Sequence, residues 1–263
     1  MIPKVIHYCW FGGNPLPELS KKCIASWKEY LPDYEIREWN ESNFDVNCCA
    51  YTREAYEAKK WAFVSDYARF WILYNYGGLY FDTDVEIVRD LRDIIAKGAF
   101  MGCEAVDKCA PGLGLGTYSG LGLYKEILDF YDILHFAAKN GVLNEQTVVE
   151  YTTDILMKHG FRGKGEIEEI AGVSLYPPEY FCPLDYTTGR LNVTENTVTI
   201  HHYCASWHSK LDDIILYIER CDSQDTPVQY KLRRIASFPF RVANKIQKNG
   251  IKNTVRFIVH SKQ

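Results

Sequence analysis

Two aspartates one residue apart follow an apolar run in the segment NYGGLYFDTDVE, residues 75–86. Because side chains alternate along a strand, Asp82 and Asp84 are predicted to project to one face, where their like charges repel each other. Glu86 adds a third acid at the same alternation. A hard divalent cation held by the two carboxylates, with diphosphate oxygens completing its shell, would relieve this repulsion. The alternative is a solvated strand end, and the apolar residues before the pair favour the metal site.

A second charged pair lies in the segment FVSDYARFW, residues 63–71. Asp66 and Arg69 are three residues apart, so they share one face of a predicted helix. On a solvated face such an ion pair would contribute little to stability. The surrounding Phe and Trp residues indicate that this face is not freely solvated. An aspartate that accepts hydrogen bonds from sugar hydroxyls, and an arginine paired with it or with phosphate, would account for both charges.

Strands and helices must bring these two pairs together. An apolar strand over 4–11, a helix that Pro32 ends and a strand over 34–39 indicate a βαβ unit and a parallel sheet. A long helix over 53–76 is ended by two glycines. The strand that follows places the aspartates near its carboxyl end, where open α/β sheets bind ligands. Further along, the pattern predicts a strand at 101–105, a glycine-rich loop at 111–116, helices at 121–139 and 145–160, and a strand at 197–207.

Length and composition exclude several classes of protein. The 263 residues are 47% apolar, which is enough to bury a substantial core. No apolar run is long enough to predict a transmembrane helix, and the N-terminus lacks the pattern of a secretory signal. The nine cysteines are scattered without a C-x-x-C pair. Their spacing argues against a zinc knuckle or a disulfide scaffold and favours reduced thiols in the cytosol.

Charge is distributed unevenly along the chain. The net charge is −4, yet residues 226–263 contain nine Lys or Arg and no Asp or Glu, so this tail carries +9 and the rest −13. Apolar residues interleaved with the cations predict an amphipathic segment that binds an anionic membrane surface. The alternative is a tail that packs on the acidic body or is solvated, and the predicted helix breaks at Pro239 and Gly250 argue for this alternative. No nucleic-acid partner is predicted, because the rest of the chain is acidic. The predicted domains are 1–225 and 226–263.

Four stretches together resemble a known family. They are IPKVIHYCWFGGNPLP, ASWKEYLPDYEIREWN, KKWAFVSDYARFWILYNYGGLYFDTDVE and the late IHHYCASW. They are similar to glycosyltransferase family 32, which includes capsular-polysaccharide and mannosyltransferase-like enzymes, and more distantly to the glucosylating bacterial toxins. The resemblance implies the GT-A fold, a Rossmann-like α/β domain with a mixed, mainly parallel central sheet and added helices. It also implies a nucleotide-sugar donor bound through Mn²⁺ or Mg²⁺ at the D-x-D acids.

The resemblance implies roles for individual residues as well. Trp10 matches the tryptophan that stacks on the nucleotide base, and Cys9 beside it offers backbone groups. Ser65 and Asp66 match the pair near the ribose and the donor sugar. Arg69 matches the arginine of the same sugar and ribose site. Asp82 matches the first D-x-D acid, which lies close to sugar, ribose and metal, and Asp84 matches the acid that binds the metal directly. The predicted catalytic residues are thus Asp66, Arg69, Asp82 and Asp84.

A histidine from the late HHYCASW stretch is predicted to complete the metal shell. Alternation sends His201 and His202 to opposite faces, so at most one of them faces the site. His202 fits the late histidine motif of similar transferases better and is the predicted ligand. Ser206 and Trp207 resemble residues of a loop that closes over the diphosphate. The residue before them is alanine where the family often has glycine, which costs the loop some freedom.

Retention of configuration by double displacement would require a carboxylate nucleophile, and the sequence offers no obvious one. Glu104, Glu145 and Asp185 are loose candidates, each more readily explained as structural. Front-face substitution, in which the departing phosphate takes the proton of the acceptor, is therefore favoured.

The predicted function is retaining, metal-dependent transfer of a hexose from a nucleotide sugar, with a UDP-sugar favoured. The predicted acceptor is a glycan or lipid-linked glycan in bacterial surface polysaccharide or lipopolysaccharide synthesis. Two rivals remain: a non-catalytic module that binds nucleotide sugar and metal, and a metal-dependent phosphohydrolase, which needs a second metal ion. The predicted location is the cytoplasm, on the inner face of the membrane.

Overall fold

The computed structural model describes residues 1–138, 141–186, 188–203, 210–219 and 227–260. The chain divides into two compact units. The first comprises Met1–Leu184 and Asn192–Cys204, and the second comprises Asp185–Leu191 and Ala205–Gln263. The predicted division at 225/226 stays a prediction.

A central sheet organises the first unit. Its strands follow the order β2-β1-β3-β7-β5-β9-β8, with β6 paired to β5, while β4 and β10 form a separate two-stranded sheet. The strands are β1 (Val5–Cys9), β2 (Glu35–Trp39), β3 (Gly78–Tyr80), β4 (Val85–Ile87), β5 (Phe100–Ala105), β6 (Lys108–Cys109), β7 (Leu115–Thr117), β8 (Glu168–Ile170), β9 (Val173–Tyr176) and β10 (Thr199–His201).

Strand direction brings several carboxyl ends to one edge of the sheet. β1 is parallel to β2 and β3, and β5 is parallel to β9. β3 and β5 are each antiparallel to β7, so they run in the same direction as each other. The predicted mixed α/β architecture with a mainly parallel central sheet is confirmed, because β2, β1, β3, β5 and β9 all point the same way.

Helices connect and cover these strands. They are α1 (Glu18–Tyr30), α2 (Ala50–Glu57), α3 (Trp61–Tyr76), α4 (Arg92–Ala96), α5 (Gly122–Asp132), α6 (Val148–Lys158) and α7 (Pro178–Phe181) in the first unit, and α8 (Lys210–Glu219) and α9 (Pro227–His260) in the second. The single helix predicted over 53–76 is wrong. Lys59 adopts a positive φ of 57° between α2 and α3, a conformation that interrupts a helix. Gly77, at φ 65°, ends α3 as predicted.

Side chains of the central strands alternate between two apolar clusters. Tyr80 packs in one cluster with residues of α3, and Phe81 packs in the other with Trp27 of α1. Trp27 Nε1 donates a hydrogen bond to the backbone oxygen of Val85 at 2.7 Å. The residues on both sides of the two acids are therefore fixed by the core.

The second unit contains α8 and α9, which pack against each other. The predicted breaks at Pro239 and Gly250 are wrong, because α9 continues through both positions. Pro239 removes one backbone donor without ending the helix. Among the described residues, no helix is both long enough and apolar enough to cross a membrane.

Candidate functional site

The two acids occupy a turn at the end of β3. Asp82 follows the strand, and the backbone N–H of Val85 donates to its backbone oxygen at 3.0 Å. Their predicted position at the carboxyl end of a buried strand is confirmed. Both acids lie outside the strand, so the strand alternation on which their predicted common face depended does not apply to them. The side chains of Asp82 and Asp84 have different partners.

Asp82 faces Arg69 of α3. Arg69 Nη2 donates a hydrogen bond to Asp66 Oδ1 at 2.9 Å, and Arg69 Nη1 donates to Asp82 Oδ2 at 3.4 Å. Its Nε donates to the backbone oxygen of Ser65 at 3.1 Å. Tyr80 supports both partners, since its ring lies 5.1 Å from the guanidinium carbon and its hydroxyl donates to Asp82 Oδ1 at 3.0 Å. The structure thus brings three predicted site residues, Ser65, Asp66 and Asp82, together around the cation of Arg69.

Burial and charge set the ionisation of this cluster. Burial raises the pKa of Asp66 to about 7, while the cation of Arg69 favours the carboxylate and Asp82 opposes it. Burial alone would lower the pKa of Arg69, but the carboxylates of Asp82 and Asp66 raise it above its ordinary value. Arg69 is therefore a permanent cation. Asp82 is the more accessible acid, with 30% of its side chain exposed against 10% for Asp66, so it is the one open to a ligand.

Gly112 completes the cluster and was not identified from the sequence. Its backbone oxygen accepts a hydrogen bond from the N–H of Asp82 at 2.9 Å. A Cβ atom at this position would lie 1.8 Å from Asp82 Oδ2 and 3.1 Å from Arg69 Nη1. The sequence predicted only a flexible glycine-rich loop at 111–116. The signal was present, because glycine is the residue that permits such close approach to a backbone.

Asp84 faces His201. The distance between Asp84 Oδ1 and His201 Nε2 is 3.2 Å, and both side chains are largely buried. His202 instead places its Nε2 2.7 Å from Glu86 Oε2, and Lys22 Nζ lies 3.2 Å from the other oxygen of Glu86. The structure therefore places His201, and not the predicted His202, beside the side chain of Asp84. His202 was preferred because it fits a short sequence motif. The pairing of β10 with β4 decides which imidazole lies at the turn, and the motif carries no information on that pairing.

The pair Asp84 and His201 suits a shared cation. Burial would lower the pKa of His201, but the Asp84 carboxylate raises it to about 10, so the imidazole is protonated in the absence of metal. A carboxylate oxygen and an imidazole nitrogen are ligand types that Mn²⁺ accepts. Within the described ranges, no three His, Cys, Asp or Glu side chains form a group that could hold a metal ion. A cation bound by these two residues would need further ligands from a bound molecule or water.

The other predicted site residues lie along the same edge. Trp10 directly follows β1, is half-buried, and donates from its indole Nε1 to the backbone oxygen of Asn14 at 2.5 Å. Cys9 is buried, and burial raises the pKa of its thiol to about 12. The Ser65 hydroxyl donates to the backbone oxygen of Trp61 at 3.2 Å. The predicted residues Ser206 and Trp207 lie outside the described residues.

A family model matches the part of the chain that carries this geometry. Residues 17–101 match the model described as "Glycosyltransferase sugar-binding region containing DXD motif". The matched stretch contains Asp66, Arg69 and both acids of the turn. This part of the chain is similar to glycosyltransferase sugar-binding regions, and the predicted resemblance to sugar-transferring enzymes is confirmed. Family 32 is compatible with the match.

Curated relatives match a part of the chain. Inositol phosphoceramide mannosyltransferase 3 of Schizosaccharomyces pombe is 32% identical over 112 residues, which cover 38% of this chain and 29% of the relative. The uncharacterized glycosyltransferase L373 of Acanthamoeba polyphaga mimivirus is 29% identical over 110 residues, covering 38% of this chain and 42% of the relative. The chain therefore matches less than half the length of these curated relatives.

Solved structures of glycosyltransferases show a loose similarity. PaToxG glycosyltransferase has a TM-score of 0.44 at 19% identity, covering 60% of this chain and 69% of that structure. The apo form of mouse xyloside xylosyltransferase 1 has a TM-score of 0.44 at 10% identity, covering 78% and 99%.

Proposed function

We propose that this chain is a retaining, metal-dependent glycosyltransferase of the GT-A type, which transfers a hexose from a nucleotide sugar to a glycan or lipid-linked glycan. The observation that carries the proposal is that the two acids of the turn contact different partners. Arg69 contacts Asp82 on one side of the turn, and His201 contacts Asp84 on the other. One turn thus supplies an oxygen-rich contact for sugar or ribose hydroxyls and a cation site for a diphosphate.

Asp84 and His201 are the residues that would hold Mn²⁺ or Mg²⁺. When bound, the cation would neutralise the charge that grows on the departing diphosphate. Binding requires the neutral imidazole, so it would release the proton that His201 shares with Asp84 in the free protein. The buried position of Asp84 would favour catalysis, because a carboxylate fixed by its surroundings needs little reorganisation when charge develops on the diphosphate.

Asp66, Arg69 and Asp82 would bind hydroxyl groups of the ribose and of the donor sugar. Arg69 fixes both carboxylates, so their free oxygens are oriented before a ligand arrives. Asp82 can then accept hydrogen bonds from hydroxyl groups with little loss of side-chain entropy. Trp10, at the end of β1, is the proposed platform for the base, and a uridine nucleotide is favoured.

Retention is proposed to follow front-face substitution. The bond between the anomeric carbon and the diphosphate oxygen breaks, and the acceptor oxygen forms its bond on the same face. The acceptor proton passes to the departing phosphate oxygen, so no protein base is needed. Ser206 and Trp207 stay predicted as residues that close over the diphosphate.

The acceptor is proposed to reside at a membrane surface. The described part of α9 exposes apolar side chains at Val228, Leu232, Ile235 and Phe238, which recur at helical spacing. The tail from residue 226 adds nine cations and no acid. Such a helix suits the interface of an anionic bilayer. The name of the Schizosaccharomyces pombe relative refers to a phosphorylated lipid acceptor, which supports a lipid-linked acceptor here. A role in bacterial surface polysaccharide synthesis, on the inner face of the membrane, stays a prediction.

Thermal-shift measurements with sugar nucleotides test the proposal. UDP-glucose, UDP-galactose, UDP-N-acetylglucosamine and GDP-mannose are each added with and without Mn²⁺, and release of the nucleoside diphosphate is followed in parallel. At least one donor should stabilise the protein only with metal, and the variant Asp84→Asn should lose this effect. Binding without any release or transfer would indicate the non-catalytic module. Release of inorganic phosphate from simple phosphate esters would indicate the phosphohydrolase.

A further inference from the structure

Three acids were candidates for a carboxylate that acts at the sugar ring, and they have different surroundings in the structure. Glu145 forms an ion pair with Lys60, whose Nζ lies 2.9 Å from Glu145 Oε1. Asp185 belongs to the second compact unit, and its Oδ1 accepts a hydrogen bond from the backbone N–H of Thr188 at 2.7 Å. Local contacts therefore explain both of these acids. Glu104 has no such explanation.

Glu104 lies near the carboxyl end of β5. β5 runs in the same direction as β1 and β3, so its carboxyl end reaches the edge that carries Trp10 and the turn with Asp84. Ligands of open α/β sheets bind outside this edge. The strand therefore brings Glu104 to the side of the sheet where the proposed donor would lie.

A β-bulge releases Glu104 from regular pairing. Cys103 pairs with Cys109, whereas Ala105 pairs with Lys108, so the register shifts by one residue at Glu104. Bulges bend a strand and change the direction of a side chain, and they are over-represented next to active sites. The bulge therefore leaves Glu104 outside the regular pairing of β5 with β6.

The surroundings of Glu104 connect it with the cation site. Its side chain is half-buried and makes no hydrogen bond or ion pair with any residue that the structure describes. Burial raises its pKa, and the charges that oppose this rise are those of His201 and Lys108. His201 is the residue whose imidazole contacts Asp84. A half-buried carboxylate that accepts no hydrogen bond is unfavourable, and a ligand with positive charge or hydroxyl groups would relieve it.

We propose that Glu104 is a catalytic residue, whose carboxylate lies beside the sugar ring of the donor and stabilises the positive charge that develops there. This assignment rests on the proposed function. Along the edge of the sheet, Trp10 follows β1, the turn with Asp84 follows β3, and Glu104 lies one residue before the end of β5. Three inter-strand spacings of ~4.8 Å each separate β1 from β5. Base, diphosphate and sugar would occupy these positions in that order. The ring acquires oxocarbenium character as its bond to the diphosphate breaks, and Glu104 forms no covalent bond.

The variant Glu104→Gln tests this role, because it removes the charge and keeps the size of the side chain. The rate constant kcat for release of the nucleoside diphosphate, measured with Mn²⁺ and whichever of the four sugar nucleotides shows metal-dependent stabilisation, should fall at least ~100-fold, the scale seen when one transition-state contact is lost. The metal-dependent thermal shift should persist and KM should change little. The variant Glu104→Asp, which keeps the charge, should lie between Glu104→Gln and the wild type.

Glu145→Gln is the matched control, since it makes the same chemical change at an acid with an ordinary ion pair. It should keep the wild-type kcat. A kcat for Glu104→Gln within about threefold of the wild type would overturn the assignment, as would a loss of kcat in Glu104→Asp equal to that in Glu104→Gln. Failure of the proposed function looks different, because the wild-type protein itself would then show neither metal-dependent stabilisation nor release with any of the four donors.

Discussion

His201 Nε2 lies 3.2 Å from Asp84 Oδ1, which joins the last strand of the first unit to the turn that follows β3. More than 100 residues separate the two groups in sequence. The contact pairs a proton with a carboxylate in the free protein, and a divalent cation can take the place of that proton. Metal affinity should therefore depend on His201 and Asp84 together and should decrease as the pH falls.

The first prediction distinguishes the two neighbouring histidines. His201→Gln should weaken Mn²⁺ binding, measured by calorimetry in the presence of UDP, by at least ~10-fold, since even partners of a ligand contribute on this scale. His202→Gln is the matched control. It alters the contact with Glu86 and should change the affinity for Mn²⁺ much less. The opposite ranking of the two variants would restore the original preference for His202.

The second prediction concerns the approach of Gly112 to Asp82. Gly112→Ala would place a Cβ atom 1.8 Å from Asp82 Oδ2, so the carboxylate must move away from Arg69. Displacements on the scale of 1 Å cost about 100-fold in rate in well-oriented sites, and overpacking should lower the free energy of unfolding by ~1–3 kcal/mol. Steady-state kinetics and urea unfolding measure the two effects.

Gly122→Ala provides the control for this substitution. Gly122 is the first residue of α5, and a Cβ atom added there would have no other atom within 4 Å. It should keep both activity and stability. Equal behaviour of the two alanine variants would show that the Asp82 carboxylate does not depend on the glycine.

The elements around the turn could be predicted, but the partners of its acids could not. Apolar periodicity and glycine signals located β1, β3 and α3, because these features act over a few residues. The choice between His201 and His202 depended on how β10 pairs with β4, and the role of Gly112 depended on a loop lying against Asp82. Glu104 needed the bulge in β5 and its neighbours. Contacts between distant segments decide such questions, and a single sequence does not display them.

The third prediction is a loss of stability at mildly acidic pH caused by His7. This buried side chain accepts a hydrogen bond from Trp39 Nε1 at its Nδ1, at 3.0 Å, so its Nε2 carries the proton and donates to the Gly77 backbone oxygen at 3.0 Å. Burial lowers the pKa of His7 from 6.5 to about 4. The unfolded chain therefore binds a proton more readily than the folded chain between these two values.

It follows that the contribution of His7 is complete above pH 6.5 and is lost as the pH falls towards 4. The loss should reach about 3 kcal/mol. Urea unfolding at several pH values measures it, and His7→Gln should flatten the dependence within this window. His159→Gln removes an exposed histidine instead and should leave the curve unchanged. A wild-type curve that does not fall between pH 6.5 and 4 would refute the assignment.

The fourth prediction concerns the buried cation of Arg69. Arg69→Met leaves the carboxylates of Asp66 and Asp82 without their common partner, and removing one member of a buried ion pair typically costs ~3–5 kcal/mol. Adding Asp66→Asn to this variant should recover part of the loss, because it removes the more deeply buried of the two charges. Arg92→Met, at an exposed arginine, should change the free energy of unfolding by less than ~0.5 kcal/mol. Additive effects of the Arg69 and Asp66 substitutions would show that the two residues do not stabilise each other.

The fifth prediction tests the apolar stripe on α9. Ile235 and Phe238 are 68% and 53% exposed, and a charge at these positions should oppose insertion among lipid chains without disturbing a core. The double variant Ile235→Asp/Phe238→Asp should lose cosedimentation with vesicles of phosphatidylserine and phosphatidylcholine while keeping hydrolysis of a soluble sugar nucleotide. Val106→Asp introduces a charge at an exposed apolar residue of the first unit and should still cosediment. Binding of the wild type should weaken with added salt, since each cation near the surface contributes ~1 kcal/mol. Unchanged sedimentation of the double variant, or equal binding of the wild type to phosphatidylcholine alone, would exclude α9 as the membrane contact.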